Sequence, residues 1–215
     1  MWFSDRPNQV DLAAVVRIDG IKDNLKLPSG RLILPDDAEY FQARARLAWN
    51  WSVSGTPSCI AMAKSTQDVV ATVNYCRTNN VDMCISGGRH SLYCSIDNTV
   101  QLNLTEMSKV EVDADAKTVT VFGGAKLGQM DAAYAKYGLA TTAGSNPDTG
   151  VIGLAIGGGM GLLMRAFGMT IDNFLSAQLV LADGSVVTAS TEENQEFFGL
   201  FEVVAAILAS FAASH

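Results

Sequence analysis

Between positions 144 and 161 the chain carries seven of its 19 glycines, at Gly144, Gly150, Gly153, Gly157, Gly158, Gly159 and Gly161. A stretch so bare of side chains cannot build a core of its own. It has to be pressed against other backbone or against a ligand. A second segment, Ser86-Gly87-Gly88-Arg89-His90-Ser91, follows an apolar run from Val81 to Ile85 that reads as a strand. Its glycines permit left-handed torsions and close approach, so the turn suits a nest of backbone N–H groups aimed at a diphosphate. The Gly144–Gly161 backbone offers a surface for a large planar ligand. The ends of strands in α/β sheets are where such ligands usually sit.

Familiar nucleotide motifs do not account for these glycines. Gly-x-Gly-x-x-Gly is not satisfied from Gly157, because Leu162 stands at the last position, and the acidic residue wanted about twenty positions on would be Asp183, already spent on a turn. No Gly-Lys-Ser/Thr follows, which excludes a phosphate loop of that type. Tight backbone packing with no ligand remains the alternative for the glycine run. For His90 the alternative is a loop histidine with a satisfied hydrogen bond, and for Arg89 a solvated charge. Side by side they offer more: a neutral imidazole is a competent nucleophile, and a guanidinium attracts phosphate.

The chain's 215 residues are 48% apolar and 17% charged, a composition able to bury a sizeable core in one or two domains. A net charge of −7 without clustered Lys and Arg argues against nucleic acid as a partner. Cys59, Cys76, Cys84 and Cys94 form no C-x-x-C pair, which argues against a zinc site, and Cys59, Cys76 and Cys84, set in apolar patterns, are expected as buried small hydrophobes. Asp11, Arg17 and Asp19 interrupt the apolar residues near the N-terminus, and Val203 to Ala213 is too short to span a bilayer. Neither a secretory leader in the sequence as given nor a membrane partner is expected, and location stays open.

The pattern along the chain is α+β. Residues 1–30 form an irregular lead-in. Leu32 to Leu34 is a short strand, and Tyr40 to Trp49 a helix. A strand over Cys59–Ala63 runs into Ser65-Thr66-Gln67-Asp68, a helix cap, and Val69, Val73 and Cys76 mark one helical face. With Val81–Ile85 this makes a β-helix-β unit, predicted as a parallel pair with a right-handed crossover. Strands follow at Val100–Leu104, Val110–Val112 and Val119–Phe122, the last two joined by a turn over Asp113–Lys117. Leu127, Met130, Ala133, Tyr134 and Tyr137 space a helix that Gly138 ends. Phe174–Ala182 and Val186–Ala189 flank Asp183-Gly184, a two-residue hairpin signal.

Taken in order, these landmarks resemble the flavin-binding domain of the vanillyl-alcohol oxidase and PCMH-type flavoproteins, most nearly the berberine-bridge-enzyme-like oxidases of fungal type. The resemblance runs from about Leu32 to Gly199 and rests on Pro35 with Tyr40 and Trp49-Asn50; Ser58-Cys59-Ile60 with Ser65 to Val69; Ser86 to Ser91; Gln101 to Leu104; Val110 to Asp113; Val121 to Ala125; Gly150 to Gly161; Gly168 with Asp172-Asn173; and Val180 to Gly184. It implies a PCMH-type FAD-binding domain over residues 31–200, made of two α+β subdomains, about 31–105 and 106–200, that clasp FAD. The implied cofactor-binding residues are Ser86, Gly87, Gly88, Arg89, His90 and Ser91 on the diphosphate, with Gly144, Ser145, Asn146, Gly150, Gly153, Gly158, Gly161 and Val187 along the rest of the molecule. His90 matches the histidine that many members bond to the flavin 8α-methyl carbon, a covalent FAD link.

The resemblance also implies flavin-dependent oxidation of a small-molecule substrate, an alcohol, sugar or secondary metabolite, with hydride passing to flavin N5 and dioxygen as reoxidant. Three departures bear on it. Asn146 stands where bicovalent members carry a second flavin-linked cysteine, so at most one covalent bond is expected. Arg89 stands where a glycine is usual, and its Cβ narrows the loop. After Glu193 to Phe198 the family's Trp-Ala-Leu-Arg-Gly-Gly-like segment does not appear, and residues 201–215 form an atypical apolar tail. That departure implies a chain truncated after its FAD domain, lacking the substrate domain and any named catalytic base. The alternative it leaves is an inactive FAD-binding remnant.

Overall fold

The computed structural model describes residues 12–44, 48–50, 55–199 and 205–214. Its strands are β1 (Arg31–Ile33), β2 (Cys59–Met62), β3 (Met83–Ser86), β4 (Val100–Asn103), β5 (Val110–Asp113), β6 (Thr118–Phe122), β7 (Phe174–Val180), β8 (Val186–Ser190) and β9 (Ala205–Ala212). They form a four-stranded sheet in the order β1-β2-β4-β3 and a five-stranded sheet in the order β5-β6-β9-β7-β8. The α+β class expected from the sequence is what the chain adopts. Residues 12–30 contain a 3-10 turn at Leu12–Ala14 and one short α-helix, α1 (Ile21–Asn24), whose Ile21 is buried. Helix α2 is described over Tyr40–Arg44, and positions 45–47 of the predicted helix lie outside the described residues.

Helix α3 (Thr66–Asn79) starts where the cap signal put it. The Ser65 side chain accepts from the Asp68 N–H, and the Asp68 carboxylate accepts from the Ser65 N–H, closing a capping box. Val69, Val73 and Cys76 bury one face of this helix, as their spacing requires. The predicted direct pairing of β2 with β3 needs correcting. Both are parallel to β4, which lies between them, Ile60 opposite Gln101 on one side and Cys84 opposite Gln101 on the other. The crossover therefore spans one vacant position that a later strand fills. Gln101 there is fully buried and donates from Nε2 to the Cys94 carbonyl at 2.7 Å.

The second sheet is antiparallel throughout. β5 and β6 are joined by the predicted turn, with Lys117 at φ 53°. The two-residue hairpin expected at Asp183-Gly184 is longer than that. The Gly184 N–H bonds the Leu181 carbonyl, the Leu181 N–H bonds the Ser185 carbonyl, and Gly184 takes φ 86°, so the connection is a turn closed by a left-handed glycine bulge. Helix α4 (Leu127–Tyr134) continues as a short 3-10 turn that ends at Gly138, φ 67°. β9, which the sequence pattern left as tail, pairs with β6 and β7 and fills the centre of the sheet. Its Phe211 is fully buried and meets Phe174 edge to face at 4.9 Å. Cys59, Cys76 and Cys84 are buried free thiols, as expected of small core residues, and Cys94 is a buried free thiol as well.

Candidate functional site

The two sheets meet at the glycine segments. A Cβ on Gly88 would lie 2.3 Å from the Gly150 nitrogen, and a Cβ on Gly150 would lie 2.5 Å from the Gly88 Cα. Gly87 likewise faces the Gly123 carbonyl, 2.6 Å from where its Cβ would stand, and Gly124 faces that of Leu104 at 1.9 Å. Any side chain at these crossings would push the lobes apart. The left-handed torsions expected at Gly87 and Gly88 are not found there. The left-handed residue of the loop is Arg89, at φ 68°, while the two glycines serve close approach.

Below the crossing lies a cavity of about 540 Å³, within the usual range for a small-molecule or cofactor site. The first lobe contributes Ile85, the loop Gly87 to Ser91, Cys94 and Leu104. The second contributes Gly123, Thr149, Gly150 and the inner side of α5 (Val151–Ile156), followed by Phe174, Ala177 and Leu179 of β7, Ala189 of β8 and Phe197 of α6 (Gln195–Gly199). Among the described lining residues the polar side chains, Arg89, His90, Ser91, Cys94 and Thr149, cluster around the loop and the crossing, and the remaining walls are apolar. Such an arrangement suits a ligand with a charged middle and flat apolar ends.

Of the residues singled out from the sequence, Gly87, Gly88, Arg89, His90, Ser91, Gly150 and Gly153 line this cavity. Ser86 ends β3, fully buried, with its carbonyl accepting from the Leu104 N–H. Gly144, Ser145, Asn146, Gly158, Gly161 and Val187 lie outside the lining. Gly161 is packed so closely that a Cβ would sit 1.9 Å from the Ala143 carbonyl, and Gly144 is pressed on Leu154 and Leu127, so both hold the backbone segments together. Gly158, at φ 95°, turns the chain after α5, and Val187 packs on the core of the second lobe. The Asn146 side chain accepts from the Asp148 N–H at 3.0 Å, fixing the turn that leads to the crossing.

His90 is exposed at the loop. Its ring stacks on Trp49, centroids 5.6 Å apart and planes 20° from parallel, and its Nε2 lies 3.2 Å from the Asp148 carbonyl. Trp49 is itself tied in, its N–H donating to the Arg89 carbonyl at 2.7 Å. Lys126 pairs with Asp148 at 2.8 Å, and this bond holds the Asp148 carboxyl below its ordinary range. Cys94 Sγ donates to the Ser91 carbonyl at 2.9 Å; burial pushes that thiol up, so it stays protonated and pins the loop. The contacts of Trp49 and Asp148 with His90, and of Cys94 with Ser91, are not announced in the sequence, because nothing in the spacing brings position 49 or 148 to position 90.

The site fits FAD. Gly153 has open space where a Cβ would stand, on the cavity wall, and among the described residues nothing accepts from the Gly87 or Gly88 N–H. Residues 57–190 match the family model described as the FAD binding domain. The chain belongs to that family. FAD is the cofactor of this FAD-binding domain, and its relatives are the PCMH-type, berberine-bridge-enzyme-like oxidoreductases that the resemblance indicated. An FAD-linked oxidoreductase of Dictyostelium discoideum is 34% identical over 165 residues, 77% of this chain and 36% of that protein. The crystal structure of 6-hydroxy-D-nicotine oxidase from Arthrobacter nicotinovorans superposes with a TM-score of 0.83 at 31% identity, covering 89% of this chain and 43% of that one. Glucooligosaccharide oxidase from Acremonium strictum, described with a 6-S-cysteinyl, 8α-N1-histidyl FAD, superposes at 0.76 with 29% identity, over 86% and 40% of the two chains. The chain thus spans well under half the length of these relatives. Among the described residues no helix is long and apolar enough to cross a membrane, and no group of His, Cys, Asp or Glu could hold a metal ion.

Proposed function

We propose that this domain holds the flavin of an oxidase that takes a hydride from a carbon bearing oxygen or nitrogen in a small molecule, with dioxygen as the reoxidant. The observation that carries the reading is the cavity beneath the Gly88–Gly150 crossing, with His90 at its rim and apolar walls behind it. Bound FAD supplies the two-electron acceptor, and the chain's part is to hold and orient it and exclude side reactions. In this reading the loop from Gly87 to Ser91 takes the diphosphate, with backbone N–H groups and the Arg89 charge as donors. The apolar faces of α5 and β7 exclude water around the ring systems.

Among the described lining residues His90 is the one imidazole, and we read it as the residue bonded to the flavin 8α-carbon. Asn146 in place of a cysteine leaves a single bond, where the Acremonium oxidase has two. The relatives act on a hydroxynicotine and on oligosaccharides, so an alcohol, sugar or amine-bearing metabolite is the substrate class. The test is acid precipitation of the purified protein followed by an absorption spectrum. Yellow colour retained in the pellet, and lost in His90→Ala, is the expected result. Flavin released to the supernatant from the unaltered chain would reject the covalent bond, and a folded protein that takes up no FAD would reject the site.

A further inference from the structure

A second cleft, of about 630 Å³, has walls from both lobes. Among the described lining residues Arg89 is the one it shares with the flavin cavity, so it is a separate site and not an arm of the first. Its charges stand as opposite pairs. Arg31 donates from Nη1 to Glu106 at 2.6 Å and lies 3.7 Å from Glu39, and Lys64 stands 3.4 Å from the other Glu106 oxygen. Lys126, on the side of the second lobe, is bonded to Asp148 at 2.8 Å. An anion entering the cleft would meet Glu39 and Glu106, and a cation would meet Arg31, Arg89 and Lys126. A neutral molecule escapes both repulsions.

What the pairs leave over is hydrogen-bonding capacity. A guanidinium has N–H groups, and a carboxylate lone pairs, beyond those one partner consumes. Gln42, Ser108 and Gln129 add groups that both donate and accept. Gln129 spends its side-chain oxygen on the Lys126 N–H at 2.9 Å, and among the described residues its amide N–H groups remain for a ligand. Ile33 and Met62, both buried, give the same cleft an apolar portion. A hydroxyl carries no charge and both donates and accepts, and a carbon ring bearing several of them has an apolar C–H face. Such a molecule suits every part of this wall, and the volume lies within the range of small-molecule sites. We propose that the cleft is a binding site for a neutral polyhydroxylated ligand, a mono- or disaccharide, held apart from the flavin. Arg31, Glu39 and Glu106 bind adjacent hydroxyls from one side, Gln42, Ser108 and Gln129 bind others, and the C–H face lies on Ile33 and Met62. Binding needs no FAD and involves no covalent step.

The test is NMR of the nitrogen-15-labelled chain titrated with glucose and with cellobiose, following the side-chain amide signals of Gln42 and Gln129. Saturable shifts are expected for both residues, in the FAD-free and the FAD-loaded protein alike, with much weaker shifts from glucose 6-phosphate, whose charge faces the two glutamates. Gln42→Ala is expected to weaken binding about three- to tenfold, the worth of one hydrogen bond. Ser108→Phe places a ring in the cleft and is expected to abolish binding, with FAD uptake unchanged in both variants. Gln42 is exposed, so its variant decides the matter if the substitution at the half-buried Ser108 unfolds the chain. Absence of a saturable shift with either sugar, binding unaltered in the folded variants, or glucose 6-phosphate binding as tightly as glucose would overturn the proposal. Loss of FAD uptake in Gln42→Ala would overturn it too, by making the cleft part of the flavin site.

Discussion

A positive φ on a long charged residue costs roughly 1–2 kcal/mol, which glycine would avoid. Arg89 accepts that cost at 68°, in the middle of the loop that lines the cavity. Arg89→Gly removes the strain but adds conformational entropy to the unfolded chain, worth about 0.5–1 kcal/mol in the other direction. The strain is the larger of the two. The expected outcome is a Tm unchanged to about 3 °C higher in thermal unfolding of the FAD-free chain. FAD affinity, measured by titration of flavin fluorescence, is expected to fall several-fold, because in the proposed reading of the loop the cation beside the diphosphate is lost. A fall in both would show that the guanidinium braces the loop. The opposite change at the neighbouring position is severe. Gly88→Ala puts a Cβ against the Gly150 backbone, where nothing can give, and FAD uptake is expected to be abolished even in protein that remains folded by circular dichroism.

At the scale of elements, Asp68 shows how a local signal in sequence becomes a tertiary anchor. Its carboxylate caps α3 through Ser65 and also accepts from the N–H groups of Ser29 and Lys64, so one side chain fastens the segment before β1 to the start of the helix. Burial alone would raise its pKa; the hydrogen bonds from Ser29, Lys64, Gly30 and Ser65 outweigh burial and lower it. A carboxyl with a depressed folded-state pKa contributes stability that is present above the unfolded value, about 3.9, and is lost as pH falls through the lower folded value. Asp68→Asn is therefore expected to cost about 2 kcal/mol at pH 7, with the gap to the parent chain closing as the pH drops below about 4; urea denaturation across that range is the measurement. The Ser-x-x-Asp cap was legible because capping is read from four consecutive residues. The order of β2, β4 and β3 was not, since Val100–Asn103 carries no mark that it will enter between two earlier strands. The stacking of Trp49 on His90 was not legible for the same reason, the two lying about forty positions apart.

Over the whole molecule the least legible element is β9, and it is the one on which the second lobe depends. Ala205 to Ala212 is rich in alanine, whose intrinsic preference is helical, and only two antiparallel neighbours in need of a partner make it a strand. Without it β6 and β7 lose the strand that hydrogen-bonds both, and those strands carry opposite sides of the cavity proposed for the flavin: Gly123 follows β6, while Phe174, Ala177 and Leu179 stand on β7. Phe211 is the side chain that joins them, fully buried and edge-on to Phe174. Phe211→Ala should cost about 3–5 kcal/mol, a large share of the 5–15 kcal/mol that holds a typical domain together, whereas Phe211→Leu should cost about 1–2 kcal/mol. Because the same strand registers both cavity walls, loss of fold and loss of FAD uptake should track each other across the two variants, and excess FAD should raise the Tm of Phe211→Leu by mass action. Thermal unfolding with and without FAD checks this. If Phe211→Ala kept full FAD affinity, the walls would be held by something other than β9, and the placement of the C-terminal strand at the centre of the second sheet would have to be abandoned.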